Sequence, residues 1–125
     1  MIFGIGTDII VVSRMAEFHQ RHGERGLEKV LAPAEQDACR ASSDPARFLA
    51  KRFAAKEALG KALGVGVRTP VLLPSIAIVH DALGKPGFEF GEELAAYIAQ
   101  RKLVTHLSLS DERDYVVAFV VAECL

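Results

Sequence analysis

The chain has 125 residues, half of them apolar and a quarter charged, which predicts one globular domain over residues 1–125 and excludes a disordered or fibrous chain. The net charge of −1 conceals an uneven distribution: residues 14–68 carry eleven Lys/Arg and seven Asp/Glu, whereas the other residues carry four and nine. A basic first half favours an anionic ligand or partner. Cys39 and Cys124 lack metal-ligand or CxxC spacing, which indicates buried thiols in a reducing compartment.

The N-terminal segment MIFGIGTDII has neither a basic leader nor a long apolar run, so we expect a cytoplasmic protein without a signal peptide or membrane span. Residues 2–6 and 8–12 predict one strand with a kink, because Gly4 and Gly6 alternate with apolar residues. Asp8 is the only charged residue in this segment. Such a carboxylate could cap a turn, pair with Arg14 or bind a cation.

The next two predicted elements are helices. Ser13 suits the N-cap of a helix that runs to about His22 and ends at Gly23, and Pro33 suits the first turn of a second, short helix. The first helix and its following loop are basic through Arg14, Arg21 and Arg25. The simplest interpretation of that charge is an ordinary solvated surface.

A long third helix is predicted between the start signal Asp44-Pro45 and Gly64, a residue suited to the C-terminal cap. Its charge is unusual because one acid, Glu57, stands among five cations: Arg47, Lys51, Arg52, Lys56 and Lys61. Glu57 and Lys61 are four residues apart and could form a helical ion pair worth roughly 0.3–0.5 kcal/mol. The other four cations could extend from the edge of a core into water, or they could bind phosphate.

The third helix is followed by Gly64-Val65-Gly66, whose glycines would let backbone N–H groups approach phosphate oxygens closely. The tripeptide matches neither a dinucleotide fingerprint nor a P-loop, and the end of a helix also explains Gly64. A phosphate site commonly includes Mg²⁺, which takes one or two protein carboxylates. Glu57 and Asp8 are the candidate ligands, although spacing alone does not pair them.

The remaining elements are mainly strands. We predict strands at 75–81, 88–90 and 106–110, a turn at 82–87, a helix at 91–102, a turn at 111–114 and a final strand at 115–125. This order indicates an α+β fold with a largely antiparallel sheet packed against the long helix. The final strand is apolar almost throughout, which predicts burial on both faces or of one face against another subunit. His106 opens an alternating strand and is most simply an inert surface residue.

Two segments, GIGTDIIVVSR (4–14) and FLAKRFAAKEALGKALGVG (48–66), resemble the bacterial holo-acyl-carrier-protein synthases of the 4′-phosphopantetheinyl transferase superfamily. The likeness continues through LGKPGFEF (83–90) and HLSLSDERDYVVAFVV (106–121), so it covers nearly the whole chain in order. The combination of G-x-G-x-D with F-x-A-K-E-A is highly specific at this length. The resemblance implies that family's fold and a homotrimer with active sites between neighbouring subunits.

The resemblance also implies a reaction in fatty acid biosynthesis, in which the 4′-phosphopantetheine arm of coenzyme A passes to a serine of apo-acyl-carrier protein and adenosine 3′,5′-bisphosphate leaves. Asp8 and Glu57 match the carboxylates that hold Mg²⁺ on the pyrophosphate. Glu57 or a bound water would take the serine proton, and the resemblance leaves that choice open. The coenzyme-binding region is matched by Arg52, Lys61, Gly64, Gly66 and His106. The arginines at 14, 21 and 25 would dock the acidic carrier protein.

The chain departs from the family pattern at three positions. Val11 stands where many members have an acid, Val65 replaces the usual threonine of the glycine loop, and Asp111 occupies a position where some members have a histidine. None of these departures removes Asp8 or Glu57, so we expect activity to persist.

Two other functions are compatible with a basic first half. A nucleotide-binding module without catalytic activity would also use the cations, but the pair of isolated acids argues against it. A nucleic-acid binder would expose aromatic residues among its basic ones, whereas the seven Phe and two Tyr lie mostly in apolar runs and there is no Trp. We therefore expect neither nucleic acid nor a membrane as a partner.

Overall fold

The computed structural model describes all residues from 1 to 125 and confirms an α+β fold with antiparallel sheets. The strands are β1 (Ile2–Val11), β2 (Ile76–His80), β3 (Pro86–Phe90), β4 (Leu103–Asp111) and β5 (Tyr115–Cys124). One sheet has the order β1-β5-β4, and β2 pairs with β3 in a separate hairpin. Both β3 and β4 begin earlier than predicted, because Pro86 pairs with His80 and Leu103 pairs with Cys124.

The α-helices are α1 (Val12–Val30), α2 (Pro33–Ala41), α3 (Pro45–Leu63) and α4 (Glu92–Gln100). The predicted end of α1 at Gly23 is wrong. Gly23 takes φ 53° and ψ −135° and breaks the helical path, but the chain resumes a helix that ends at Val30. Both predicted caps of α3 are present: Asp44 accepts a hydrogen bond from the N–H of Arg47, and Gly64 adopts the left-handed conformation at φ 82°.

The three-stranded sheet buries one face and exposes the other. On β5, Val116, Ala118, Val120 and Ala122 are buried, whereas Tyr115, Val117 and Phe119 are exposed. The exposed positions continue across the neighbouring strands, and we call this surface the outer sheet face. It comprises Ile5, Thr7, Ile9 and Val11 of β1, Tyr115, Val117, Phe119 and Val121 of β5, and His106, Ser108 and Ser110 of β4. The prediction that β5 is buried on both faces is therefore wrong for a single chain, in which only one face is buried.

Helix α3 lies unusually close to β1, because β1 presents glycine at two inward-facing positions. A Cβ atom on Gly4 would overlap the carbonyl oxygen of Ala62, and one on Gly6 would overlap that of Ala58. Any larger residue would push the helix away from the strand. The alternation that predicted a kink is therefore a packing requirement, and it places Asp8 beside the middle of α3.

One hydrophobic core of 25 buried residues joins the helices to the inner face of the sheet and to β2. The helix α3 crosses its centre, with Leu49, Ala50, Ala54, Ala58 and Leu59 completely buried. Alanine at three of these five positions matches the short distance between helix and strand. None of the helices combines the length and apolarity that a membrane crossing requires.

Candidate active site

Asp8 and Glu57 come together in a cavity of about 300 Å³ between β1 and α3. Asp8 lies on the inner side of β1, and Glu57 lies on the side of α3 that faces the N-terminus of α1. The other lining residues are Ile9, Ile10, Arg14, Phe53 and Lys61. The structure thus pairs two acids that are 49 positions apart in the sequence, and we call this space the carboxylate cavity.

Lys61 does not form the helical ion pair with Glu57 that their spacing suggested. The ammonium of Lys61 lies 3.2 Å from Oδ1 of Asp8 and donates a 2.8 Å hydrogen bond to the carbonyl of Thr7, so its ion pair is with Asp8. No ion pair joins Asp8 to Arg14. Burial, and then the negative charge of Asp8, raise the pKa of Glu57 above its usual range, while Lys61 and Arg14 act in the opposite direction.

The two carboxylates suit a divalent cation. Burial and the charge of Asp8 both disfavour the charged form of Glu57, and a cation bound by the two carboxylates would offset that cost. No cluster of three or more His, Cys, Asp or Glu side chains exists in the chain. Mg²⁺ needs no such cluster, because it typically binds one or two protein carboxylates and completes its shell with water and phosphate oxygens.

A second cavity, of about 370 Å³, lies at the N-terminal half of α3. Its walls are basic on the helix side, where Arg47, Lys51 and Arg52 line it, and the β2–β3 hairpin contributes His80, Gly84 and Pro86. Asp111 partly neutralises this wall, since Arg47 lies 2.8 Å and Lys51 lies 3.7 Å from its carboxylate. This basic cavity shares no lining residue with the carboxylate cavity.

Lys56 is not among the cations available to a ligand, and its assignment to phosphate binding is wrong. The side chain is completely buried, and its ammonium donates hydrogen bonds to Glu35 and to the carbonyls of Val30 and Leu73. Burial lowers the pKa of Lys56, and the Glu35 carboxylate opposes that shift. Three acceptors for three N–H donors satisfy the ammonium without solvent.

Arg52 lies between the buried network and the basic cavity. Its Nε atom is 3.1 Å from Oε2 of Glu35, close enough for strong charge attraction although the N–H is not directed into a hydrogen bond. Its guanidinium carbon stacks 4.2 Å from the centroid of the Phe48 ring. Arg52 is therefore held in place while it still lines the basic cavity.

The other residues predicted to bind the coenzyme border neither cavity within one chain. His106 lies on the outer sheet face, with Nε2 3.1 Å from the carboxylate of Glu123. In the glycine loop, the N–H groups of Gly64 and Gly66 both donate to the carbonyl of Gly60. A contact between this loop and a ligand stays a prediction, as does the role of His106.

The arginines of α1 are exposed, and two of them line a further cavity of about 250 Å³ together with Glu17, Phe18 and His22. Arg14 and Arg21 belong to this lining, and Arg25 lies beyond the helix break at Gly23. Arg14 also lines the carboxylate cavity. The basic surface of α1 is thus continuous with the site of the two acids.

Glu35 is the residue of this region that the sequence did not reveal. It is 4% exposed, and it faces Lys56 and Arg52 from α2. The only sequence signal was indirect: two cations, Arg52 and Lys56, occur at helical spacing on a face that also carries apolar residues, which implies a buried counter-charge.

The fold brings two acids together beside one long helix, and the same helix carries several cations. These features define a protein suited to a phosphorylated ligand. A family model of the 4′-phosphopantetheinyl transferase superfamily matches residues 4–120. The chain belongs to this superfamily and groups within it with the holo-acyl-carrier-protein synthases.

Individual relatives are similar over almost their whole length. The holo-acyl-carrier-protein synthase of Azoarcus sp. strain BH72 is 59% identical over 98% of both chains. The crystal structure of the holo-acyl-carrier-protein synthase from Neisseria meningitidis superposes with a TM-score of 0.95 at 44% identity, over 98% of this chain and 99% of the other. A Bacillus anthracis holo-acyl-carrier-protein synthase in complex with CoA (3′,5′-ADP) superposes with a TM-score of 0.84 at 32% identity, over 100% of this chain and 99% of the other.

Proposed function

We propose that this protein transfers the 4′-phosphopantetheine arm of coenzyme A to a serine of apo-acyl-carrier protein, with release of adenosine 3′,5′-bisphosphate, as a cytoplasmic step of fatty acid biosynthesis. The observation that carries the proposal is the pairing of Asp8 with Glu57 in one cavity of a chain 59% identical to a holo-acyl-carrier-protein synthase. The continuous core supports one catalytic domain over residues 1–125.

In the proposed reaction, Asp8 and Glu57 would hold a Mg²⁺ ion in the carboxylate cavity, where it would compensate the charge of the pyrophosphate of coenzyme A. The metal supplies Lewis-acid polarisation and charge neutralisation at the phosphoryl group that is attacked. Glu57, directly or through a water, would accept the proton of the attacking serine. Lys61 lies 3.2 Å from Asp8, so its ammonium would add positive charge for phosphate oxygens bound in this cavity.

The basic cavity supports binding of the remaining phosphate groups. Arg52 is fixed on its wall, and the cations Arg47 and Lys51 add positive charge. Because the basic cavity and the carboxylate cavity share no residue, we propose that one coenzyme molecule is bound by two chains, with His106 and the loop at 64–66 contributing from their respective subunits.

The outer sheet face supports a homotrimer as the form that brings these parts together. Its apolar residues include Ile9 on β1, which is 63% exposed, and Phe119 on the central strand β5, which is 43% exposed. Monomeric proteins rarely leave a contiguous apolar face of this kind in water. A threefold arrangement would cover the face and place His106 at a subunit boundary.

The proposed reaction is tested directly by mass spectrometry of apo-acyl-carrier protein incubated with coenzyme A and this protein. We expect the carrier to gain one phosphopantetheine group in the presence of Mg²⁺ and none when the divalent cation is chelated, because the pyrophosphate would then lack its counter-charge. A carrier in which the acceptor serine is alanine is the control. An unmodified wild-type carrier in saturating Mg²⁺ and coenzyme A would refute the function.

We further propose that the acidic carrier protein docks on the basic surface of α1 formed by Arg14, Arg21 and Arg25. The support is geometric, because Arg14 lines both the α1 cavity and the carboxylate cavity. A carrier bound across Arg14 and Arg21 would hold its serine at the mouth of the site. Attraction between oppositely charged surfaces would also speed the encounter.

Arg14→Glu and Arg21→Glu should each raise the KM for the carrier protein by about tenfold at low salt, and Arg21→Glu should leave the KM for coenzyme A nearly unchanged. Arg21 lies outside the carboxylate cavity, so its effect should be free of any change at Glu57. Steady-state kinetics with carrier and coenzyme varied separately provide the measurement, and Arg68→Glu is the charge-matched control. Normal carrier kinetics in both variants would place the docking surface elsewhere.

A further inference from the structure

Glu35 joins three elements of the structure through a buried network. Its Oε1 atom accepts hydrogen bonds from the ammonium of Lys56 at 2.7 Å and from the N–H of Ala32 at 2.9 Å. Its Oε2 atom accepts a 2.9 Å hydrogen bond from the N–H of Ile78 and lies 3.1 Å from Nε of Arg52. One carboxylate on α2 therefore contacts α3 through two side chains and β2 through its backbone.

The network has an excess of positive charge. Two cations, Lys56 and Arg52, face the single charge of Glu35. Lys56 is completely enclosed and saturated with acceptors, so the unbalanced charge belongs to Arg52, which is 13% exposed and lines the basic cavity. The Nη atoms of Arg52 make no hydrogen bond within the chain. The charge that Glu35 does not neutralise is thus available to an anion in that cavity.

Glu35 also links two walls of the basic cavity. One wall is α3, which carries Arg52, and the other is the β2–β3 hairpin, which carries His80 and Pro86. The hydrogen bond from Ile78 ties the hairpin to the carboxylate that holds Arg52. A change at Glu35 would therefore release the guanidinium and the opposite wall together.

We propose that Glu35 is a positioning residue that holds Arg52 and the β2–β3 hairpin in the arrangement that binds the nucleotide phosphates of coenzyme A. This inference rests on the proposed function. Glu35 touches no substrate itself, because the buried network encloses it. It acts by fixing the guanidinium before the ligand arrives, which lowers the entropy that binding would otherwise lose.

The test compares Glu35→Gln with Lys56→Met. Each variant removes one partner of the buried ion pair between Glu35 and Lys56, so both should lower the melting temperature. Only Glu35→Gln removes the charge that holds Arg52; it should weaken binding of adenosine 3′,5′-bisphosphate, measured by calorimetry, and raise the KM for coenzyme A by about tenfold, with a much smaller change in kcat. Lys56→Met keeps the contact between Glu35 and Arg52 and should lose much less affinity for the bisphosphate, because it lowers the charge of the network without releasing Arg52.

A double-mutant cycle establishes whether the effect passes through Arg52. If it does, Glu35→Gln should cause little further loss of bisphosphate affinity once Arg52→Gln is present. If Glu35→Gln does not fold, the double variant Glu35→Gln/Lys56→Met provides the same test. It removes one negative and one positive charge and therefore keeps the net charge of the network.

Wild-type affinity in a folded Glu35→Gln variant would overturn the inference, and so would equal losses of affinity in Glu35→Gln and Lys56→Met. These outcomes differ from failure of the proposed function, in which the wild-type protein would not modify the carrier at all.

Discussion

Asp8→Asn and Glu57→Gln are each expected to lower kcat by at least about a hundredfold while the protein remains folded. Both substitutions are nearly isosteric, so the close packing between β1 and α3 should persist. Each removes half of the negative charge of the carboxylate cavity. No third acid, His or Cys joins the two carboxylates, so no other side chain could replace the ligand that is lost. The metal would then bind weakly, and the pyrophosphate would lose its charge compensation.

The double variant should be little worse than either single variant, because groups that act as one unit do not contribute additively. Coenzyme A should still bind weakly through Arg52 and Lys61. The measurements are turnover in saturating Mg²⁺ and circular dichroism, with Glu28→Gln as the charge-matched control on the exposed side of α1. A folded Glu57→Gln enzyme with near-normal turnover would overturn the assignment of this residue.

The second large effect is expected from a charge on the outer sheet face. The wild-type protein should sediment at three times its chain mass of 13.5 kDa, whereas Phe119→Glu should sediment as a monomer and lose nearly all turnover. Phe119 lies on the central strand of the sheet, between Thr7 and Ser108, so a subunit contact across this face would enclose the new carboxylate without a partner.

Sedimentation velocity and turnover at the same micromolar concentration test this expectation together. Leu83→Glu is the matched control, because Leu83 is 96% exposed in the β2–β3 turn and lies off the outer sheet face. It should leave both assembly and activity intact. A wild-type protein that is monomeric and fully active would eliminate the trimer and the shared site with it.

The sequence alone determined the class of fold and most of the elements. Local signals were sufficient for α3, since Asp44-Pro45 begins it and Gly64 ends it where predicted. They misjudged α1, because a glycine with a positive φ can interrupt a helix without preventing the next turn from resuming. That resumption depends on packing, with Leu27 and Val30 buried in the core.

The motif G-x-G-x-D also identified Asp8 as a candidate, but not the reason for its glycines. Read as strand geometry, Gly4 and Gly6 indicated a kink. In the structure they are the positions where α3 touches the backbone of β1. This contact joins residues more than fifty positions apart, and only the folded chain could reveal that it is what brings Glu57 to Asp8.

Among the cations of α3, the sequence could establish helical spacing but not the partner of each side chain. From the sequence, Lys61 was a possible ion-pair partner of Glu57 and Lys56 a possible phosphate ligand, but the fold places Glu35 against Lys56 and Asp8 against Lys61. Periodicity fixes the angle at which a residue leaves its own helix, whereas the burial and ionic partner of that residue depend on elements distant in sequence. The tertiary structure therefore decided which charges are enclosed and which remain available to a phosphate.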